Sequence, residues 1–455
     1  MHIHILGICG TFMGSVARLA QELGHRVTGS DAQVYPPMSV QLEQAGITVT
    51  EGYDPRQLIP APDLVIVGNA LSRGNPCVEY LLDHSLNYTS GPQWLGQTIL
   101  ANRHVLAVSG THGKTTTSSM LTAVLMGAGL RPGYLIGGVP IETGVSASLG
   151  DGKYFVVEAD EYDSAFFDKR SKFLHYHSNT LLINNIEFDH ADIFDNIASI
   201  EKQFHHLMRS LPSRGVVIYP DSDASIESVM AAGCWSRTLR YGEREDHWHY
   251  RLLTEDGSCF DVVAPEWLNE VQHGRVTWAL SGLHNVRNAM AAILAAWDVG
   301  VPIAQSCEIL SRFAGVKRRM EVLYRREGLT VYDDFAHHPT AIASTLAGLR
   351  KKVGDRPIIA VIEPRSATMR LGIYEETLAQ SVAAADRVLW YRPARLNWNI
   401  DAMMACSNVI SEVFVSIEPL IDRCLALGQP ETHIVIMSNG GFDGLYAKLL
   451  ARLEP

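Results

Sequence analysis

The feature that most constrains this chain is a glycine-rich loop, Gly110-Thr111-His112-Gly113-Lys114-Thr115-Thr116, set between an apolar run, His104 to Ser109, and a helix-compatible run, Thr115 to Met126. A strand that feeds a helix through such a turn offers backbone N–H groups and the positive end of the helix to an anion. In the general form of this loop the lysine, here Lys114, reaches the terminal phosphates of a nucleotide and the next hydroxyl, Thr115, ligates magnesium. That form wants glycine at position 108, where this chain has Val108, so a shortened variant is expected. Lys114 is expected to face solvent and to supply charge rather than packing.

Strand and helix signals alternate along the rest of the chain. The opening combines Ile3 to Leu6, a glycine-bearing turn, a helical Met13 to Leu23, and Arg26 to Ser30 ending at Asp31, which reads as a βαβ unit. Taken alone, that turn with Asp31 placed on a ribose suggests a dinucleotide-binding fold, and hence an NAD(P)-dependent oxidoreductase as the alternative of another class. Such a turn is shared by many α/β proteins, which limits what it says about function. Further strands are expected at 64–67, 154–157, 180–183, 216–219, 329–332, 358–362, 388–391 and 434–437, with a helix at 289–296. At about 100 to 200 residues per domain, 455 residues favour three domains, expected at 1–102, 103–314 and 315–455, all α/β.

Charge and composition narrow the partners. Lys and Arg number 38 against 49 Asp and Glu, and a net charge of −11 repels a nucleic-acid backbone while leaving room for a small anion in a local pocket. No basic flank or long apolar stretch marks a secretory signal, and the most apolar run, Ala289 to Trp297, is shorter than the roughly 18 to 20 residues that cross a bilayer. Neither export nor a membrane partner is expected. Seven cysteines, odd in number and scattered, with no Cys-x-x-Cys pair, fit a reducing cytoplasm and no thiolate metal site.

Two acidic stretches follow strand candidates. Glu158 closes Tyr154 to Val157 and begins Glu158-Ala159-Asp160-Glu161-Tyr162-Asp163; carboxylates there either hold a hard cation beside a triphosphate or form a solvated loop. After Thr180 to Ile183 comes Asn184-Asn185-Ile186-Glu187-Phe188-Asp189-His190, where His190 is either a metal ligand or a loop cap.

Together these stretches resemble the ATP-dependent Mur ligases of bacterial cell-wall synthesis, and the resemblance runs through nearly the whole chain. The loop Gly110 to Thr115, the string Glu158 to Glu161 and the run Asn185 to His190 occur in the family's order. Gly282-Leu283-His284-Asn285-Val286-Arg287-Asn288-Ala289, Arg319 before Met320-Glu321, and Asp333-Asp334-Phe335-Ala336-His337-His338-Pro339 resemble further family motifs. The resemblance implies a Rossmann-like UDP-sugar domain, a central P-loop ATPase domain and a C-terminal Rossmann-like domain for the incoming amine. It also implies a reaction: ATP phosphorylates a carboxylate, an amine attacks the acyl phosphate, and an amide forms with loss of phosphate. By this resemblance Gly110, Thr111, His112, Gly113, Lys114, Thr115, Thr116, His284, Asn288, Arg319 and Asp334 serve ATP. Thr115 holds a first Mg2+, and Glu158 and His190 hold a second near the acyl phosphate. Gly7, Gly10, Thr11 and Asp31 serve the UDP-sugar, with Cys9 and Phe12 departing from the family's opening.

Several members carry a carbamylated lysine about fifteen residues beyond the metal-binding histidine. Here Lys202 is out of register and is not given that role. Its absence resembles the branch that uses UDP-N-acetylmuramate itself, within which two amine substrates remain: L-alanine, and the recycled tripeptide L-alanyl-γ-D-glutamyl-meso-diaminopimelate. In Glu363-Pro364-Arg365-Ser366-Ala367-Thr368-Met369-Arg370, Ser366 and Met369 stand where L-alanine-adding members tend to have arginine. That change favours the tripeptide and peptidoglycan recycling, with Arg365 and Arg370 reading its carboxylates or else lying on a solvated helix start. The run Met437 to Gly444 resembles the tripeptide-adding members too.

Overall fold

Apolar strand runs separated by helices build three large sheets, beside a two-stranded ribbon of Asp163–Ala165 and Asp168–Ser171, in a computed structural model that describes residues 1–34, 38–268, 273–393, 396 and 398–453. The first sheet is wholly parallel, in the order Thr48–Glu51, Arg26–Asp31, His2–Leu6, Leu64–Val67, Tyr88–Ser90. Its strand order reverses beside His2–Leu6, so the turn from Gly7 opens at the crevice where such sheets bind ligands. Gly7 has φ +80°, a conformation that suits glycine.

The central sheet runs His273–Thr277, Cys259–Val263, Trp248–Leu252, Arg237–Gly242, Val216–Pro220, Thr180–Ile183, His104–Ser109, Tyr154–Glu158, Gly133–Leu135, Ala147–Ser148. Strand His104–Ser109 lies between two parallel neighbours, with Val108 opposite Glu158 and Ser109 opposite Ile183. The loop after Ser109 therefore emerges flanked by Glu158 on one side and Asn184 on the other. Helix Lys114–Gly127 packs against helix Leu283–Asp298, whose residues Asn288 to Ala296 are buried all round. A helix apolar on every face belongs in a core rather than on a surface.

In the third sheet the order is Glu321–Arg326, Leu329–Asp334, His433–Met437, Ile358–Ile362, Arg387–Tyr391, Ile410–Phe414, and all pairs but the first are parallel. Asp334, Met437 and Ile362 stand in register, so the loops after them open side by side. Separate apolar clusters cover the two faces of this sheet. By contrast, one continuous cluster joins Val16, Leu19 and Trp94 of the first unit to Phe155, Phe173 and Tyr176 of the second.

Every strand expected above is present, to within two residues at an end. The antiparallel extension Trp248–Leu252, Cys259–Val263 and His273–Thr277 was not anticipated, nor was the edge strand Glu321–Arg326. All seven cysteines are unpaired, and among the described residues no helix is long and apolar enough to cross a membrane.

Candidate active site

The glycine-rich loop keeps its shape because side chains could not replace its two glycines. Gly110 has φ +125° and Gly113 φ +78°, and a Cβ on Gly113 would stand 2.5 Å from Asn288 Oδ1. Asn184 and Asn185 brace the turn: His112 N–H donates to Asn185 Oδ1 at 2.8 Å, and Asn184 Nδ2 donates to the His112 carbonyl at 3.2 Å. Asn288 thus sits against the loop. His284 opens the same helix, and burial, aided by Arg319, lowers its pKa to about 4.

Lys114 is not solvent-facing. Its side chain is 11% exposed, and its ammonium donates to the Gly110 carbonyl at 2.7 Å and to Glu161 Oε2 at 3.2 Å, with Asp160 Oδ1 at 3.7 Å. Burial pushes its pKa down, but Glu161, Asp160 and Glu158 outweigh burial and hold the ammonium above its usual value. The expectation of an exposed lysine fails because the acidic string folds over the loop instead of into water.

Glu158 is buried at the strand end. The Thr115 hydroxyl donates to its Oε1 at 3.0 Å and the Gly137 N–H to its Oε2 at 2.7 Å. Burial, reinforced by Asp160, raises its pKa. A carboxylate so placed wants a cation beside it, and a hydroxyl plus a carboxylate is a hard-oxygen donor set suited to magnesium. His190, held in a left-handed conformation at φ +53°, has its Nε2 3.5 Å from Glu161 Oε1 rather than close to Glu158. Glu161 consequently links Lys114 to His190, a role that no spacing in the sequence revealed. Buried Lys172 was missed as well; its ammonium lies 3.3 Å from Asp160 Oδ2 and 4.1 Å from the centre of the Tyr162 ring.

The third unit reaches this site. Arg319 Nη2 donates to Thr115 Oγ1 at 3.3 Å, and Asp334 fixes the arginine's loop by accepting from the Met320 and Ala336 N–H groups, each at 2.9 Å. Its neighbour Arg318 donates to the carbonyls of Ser438 and Gly440, tying that loop to the last strand's exit. Thr368 donates to Asp189 Oδ1 at 2.6 Å, and Asp189 in turn accepts the His190 N–H at 2.7 Å. Tyr374 donates to the Phe188 carbonyl. The stretch between Arg365 and Arg370 is therefore docked on the loop that carries His190. Arg365 is exposed with its guanidinium over Gly440, and Arg370 is partly buried. Away from these groups, Gly10 and Thr11 start the first helix, and Asp31 Oδ2 accepts the Cys9 N–H at 2.9 Å. Lys202 is exposed on helix Ile197–Ser210.

Three family models match in succession: Mur ligase family, catalytic domain at residues 2–103; Mur ligase middle domain at 108–296; and Mur ligase, glutamate ligase domain at 318–440. A UDP-N-acetylmuramate–L-alanyl-γ-D-glutamyl-meso-2,6-diaminoheptandioate ligase of Escherichia coli K12 is 52% identical over 451 residues, covering 99% of this chain and 98% of its own. The chain belongs to the Mur ligase family. A UDP-N-acetylmuramate–L-alanine ligase of Syntrophomonas wolfei is 35% identical, over 81% of this chain and 78% of its own. The crystal structure of a murein peptide ligase from Psychrobacter arcticus 273-4 superposes with a TM-score of 0.78 at 49% identity, covering 100% of this chain and 98% of the other. This Mur ligase is an ATP-dependent amide-forming ligase, which overturns the NAD(P)-dependent oxidoreductase alternative drawn from the first glycine-rich turn.

Proposed function

We propose that this Mur ligase joins the tripeptide L-alanyl-γ-D-glutamyl-meso-diaminopimelate to UDP-N-acetylmuramate, with ATP going to ADP and phosphate, in cytoplasmic peptidoglycan recycling. The observation that carries this reading is the 52% identity across the full chain to a ligase named for that tripeptide, against 35% over a shorter stretch to an L-alanine ligase. The third-unit segment supports it. Ser366 caps the helix Ala367–Arg370 and Met369 is buried, so neither offers a guanidinium to clamp a small amino acid. Arg365 and Arg370 are left to meet the carboxylates of a longer acidic peptide.

The chemistry follows from placement. Backbone N–H groups from Gly110 to Thr116 cradle the ATP phosphates, Lys114 draws charge toward the terminal phosphate, and Asn288 and His284 border the nucleotide. Gly7, Gly10, Thr11 and Asp31 serve the UDP-sugar at the first sheet's crevice. Thr115, Glu158 and His190 would hold magnesium, which neutralises phosphate charge when bound. The sugar's carboxylate takes the terminal phosphoryl group, the peptide amine attacks the acyl carbon, and the tetrahedral adduct collapses with phosphate leaving. Arg319 and Asp334 bring the third unit onto the phosphate loop, which keeps water from the acyl phosphate. Units 1–102, 103–314 and 315–455 would thus each bring one substrate.

The test is phosphate release from ATP with each substrate omitted in turn. Sustained release should require both UDP-N-acetylmuramate and the tripeptide. Release that ignores the UDP-sugar would overturn the reading.

A further inference from the structure

Beside the magnesium donors, and sharing none of them, lies a second group of ligating side chains. His112 belongs to the phosphate loop, Glu187 to the loop after strand Thr180–Ile183, and His338 precedes helix Pro339–Val353 of the third unit. One ligand atom from each falls within 4.8 Å of the others. His112 Nε2 is 3.4 Å and His338 Nδ1 3.6 Å from the same carboxylate oxygen, Glu187 Oε2. Ligand atoms about 2.0 to 2.1 Å from a tetrahedral zinc stand about 3.3 Å apart, so two edges of such a site are already nearly formed.

Each histidine also has a ring nitrogen without a partner, on His112 the one that faces Glu187 and on His338 the one that points away from it. Nε2 of His112 and Nε2 of His338 are both buried without a hydrogen bond of acceptable geometry, and His338 is only 4% exposed. An orphaned buried polar atom calls for an explanation. Thr340 orients the carboxylate, its hydroxyl donating to Glu187 Oε2 at 2.6 Å, while its N–H donates to His338 Nδ1 at 3.3 Å, a helix-capping bond that an ion on that nitrogen replaces. Hydrogen bonds of this outer kind orient ligands.

We propose that His112, Glu187 and His338 bind one borderline divalent transition-metal ion, of which zinc is the type, across the central and third units. Two imidazoles and a carboxylate, with a fourth position open, suit zinc, cobalt or nickel and not magnesium, which prefers oxygen donors in an octahedron. Because His338 comes from the third unit and His112 from the phosphate loop, the ion ties the two together and slows the opening that releases product.

The experiment uses the full-length protein, stripped with a chelator and kept in excess magnesium, with zinc titrated in competition with a chromogenic indicator. One zinc per chain is expected. His338→Asn keeps an acceptor for the Thr340 N–H, and Glu187→Gln keeps one for its hydroxyl, yet each should weaken zinc binding at least tenfold. Circular dichroism and the thermal midpoint establish that both variants are folded, and His190→Ala should bind zinc as the wild type does. Absence of stoichiometric zinc in the wild type overturns the proposal, as does wild-type affinity in both His338→Asn and Glu187→Gln. Loss of the ion in His190→Ala would also overturn it, by moving the zinc to the magnesium donors.

Discussion

Lys114 carries two duties, and they have different signatures. It offsets Glu161 and Asp160 in a site almost closed to water, and in the proposed reaction it supplies charge to phosphate. Lys114→Ala should hold turnover below a tenth of wild type. It should also lower the thermal midpoint, since stranding one side of a buried ion pair costs about 3 to 5 kcal/mol. Wild-type turnover would remove Lys114 from the chemistry, whereas an unchanged midpoint would show that the acidic string is neutralised by Lys172 alone. Glu158 and His190, the proposed magnesium ligands, should separate from it by metal dependence. In a magnesium titration of initial rates, Glu158→Gln and His190→Ala should each need more magnesium for half-maximal velocity, and wild-type titration curves from both would make the residues structural.

At the scale of elements, the helix Ala367–Arg370, proposed to read the amine, is coupled to the loop that carries His190 through one hydroxyl. Thr368 holds Asp189, and Asp189 holds the backbone of His190. A hydrogen bond to a charged group contributes about 1.5 to 3 kcal/mol, so Thr368→Val should lower kcat/KM for the peptide by about tenfold or more, with Thr368→Ser restoring most of it. Equal kinetics for the valine and serine variants would reduce the contact to packing. None of this coupling is legible in the sequence, because Thr368 and Asp189 are 179 residues apart and only the folded chain brings them together. The central parallel strands were legible since burial on both faces makes them continuous apolar runs, as in Ile358 to Ile362, whereas the partly exposed parallel strands Thr48–Glu51, Tyr88–Ser90, Arg237–Gly242 and Ile410–Phe414 were missed. Cys259–Val263 escaped notice because only its alternate residues are buried, with Asp261 between Phe260 and Val262. Of the site, the motif residues could be read off. Glu161 and Lys172 could not, as their role lies in whom they pair with.

For the whole molecule, several histidines are buried as neutral groups, and this sets an acid limit. Burial lowers His4, His284 and His337 to about 4 each. An unfolded chain binds those protons near pH 6.5, so the contribution is fully present above that pH and is lost as pH falls toward 4. The thermal midpoint should therefore drop steadily between pH 6.5 and 4.5. His4, which bonds Thr28 at 2.9 Å and Ser30 at 3.1 Å, is the simplest probe. His4→Gln should flatten the fall by up to one proton, or about 1.4 kcal/mol per pH unit, and an unaltered slope would mean that His4 titrates normally in the fold.

Which amine meets the acyl phosphate is the property that separates a tripeptide ligase from an L-alanine ligase. The most direct measurement is kcat/KM for the tripeptide and for L-alanine, side by side, at saturating ATP and UDP-N-acetylmuramate. The third-unit segment, with Ser366 and Met369 where arginines would clamp a small amino acid, predicts that the tripeptide is preferred by at least about a hundredfold, the equivalent of two lost charge-assisted contacts. A preference for free L-alanine would show that the protein is not a tripeptide ligase.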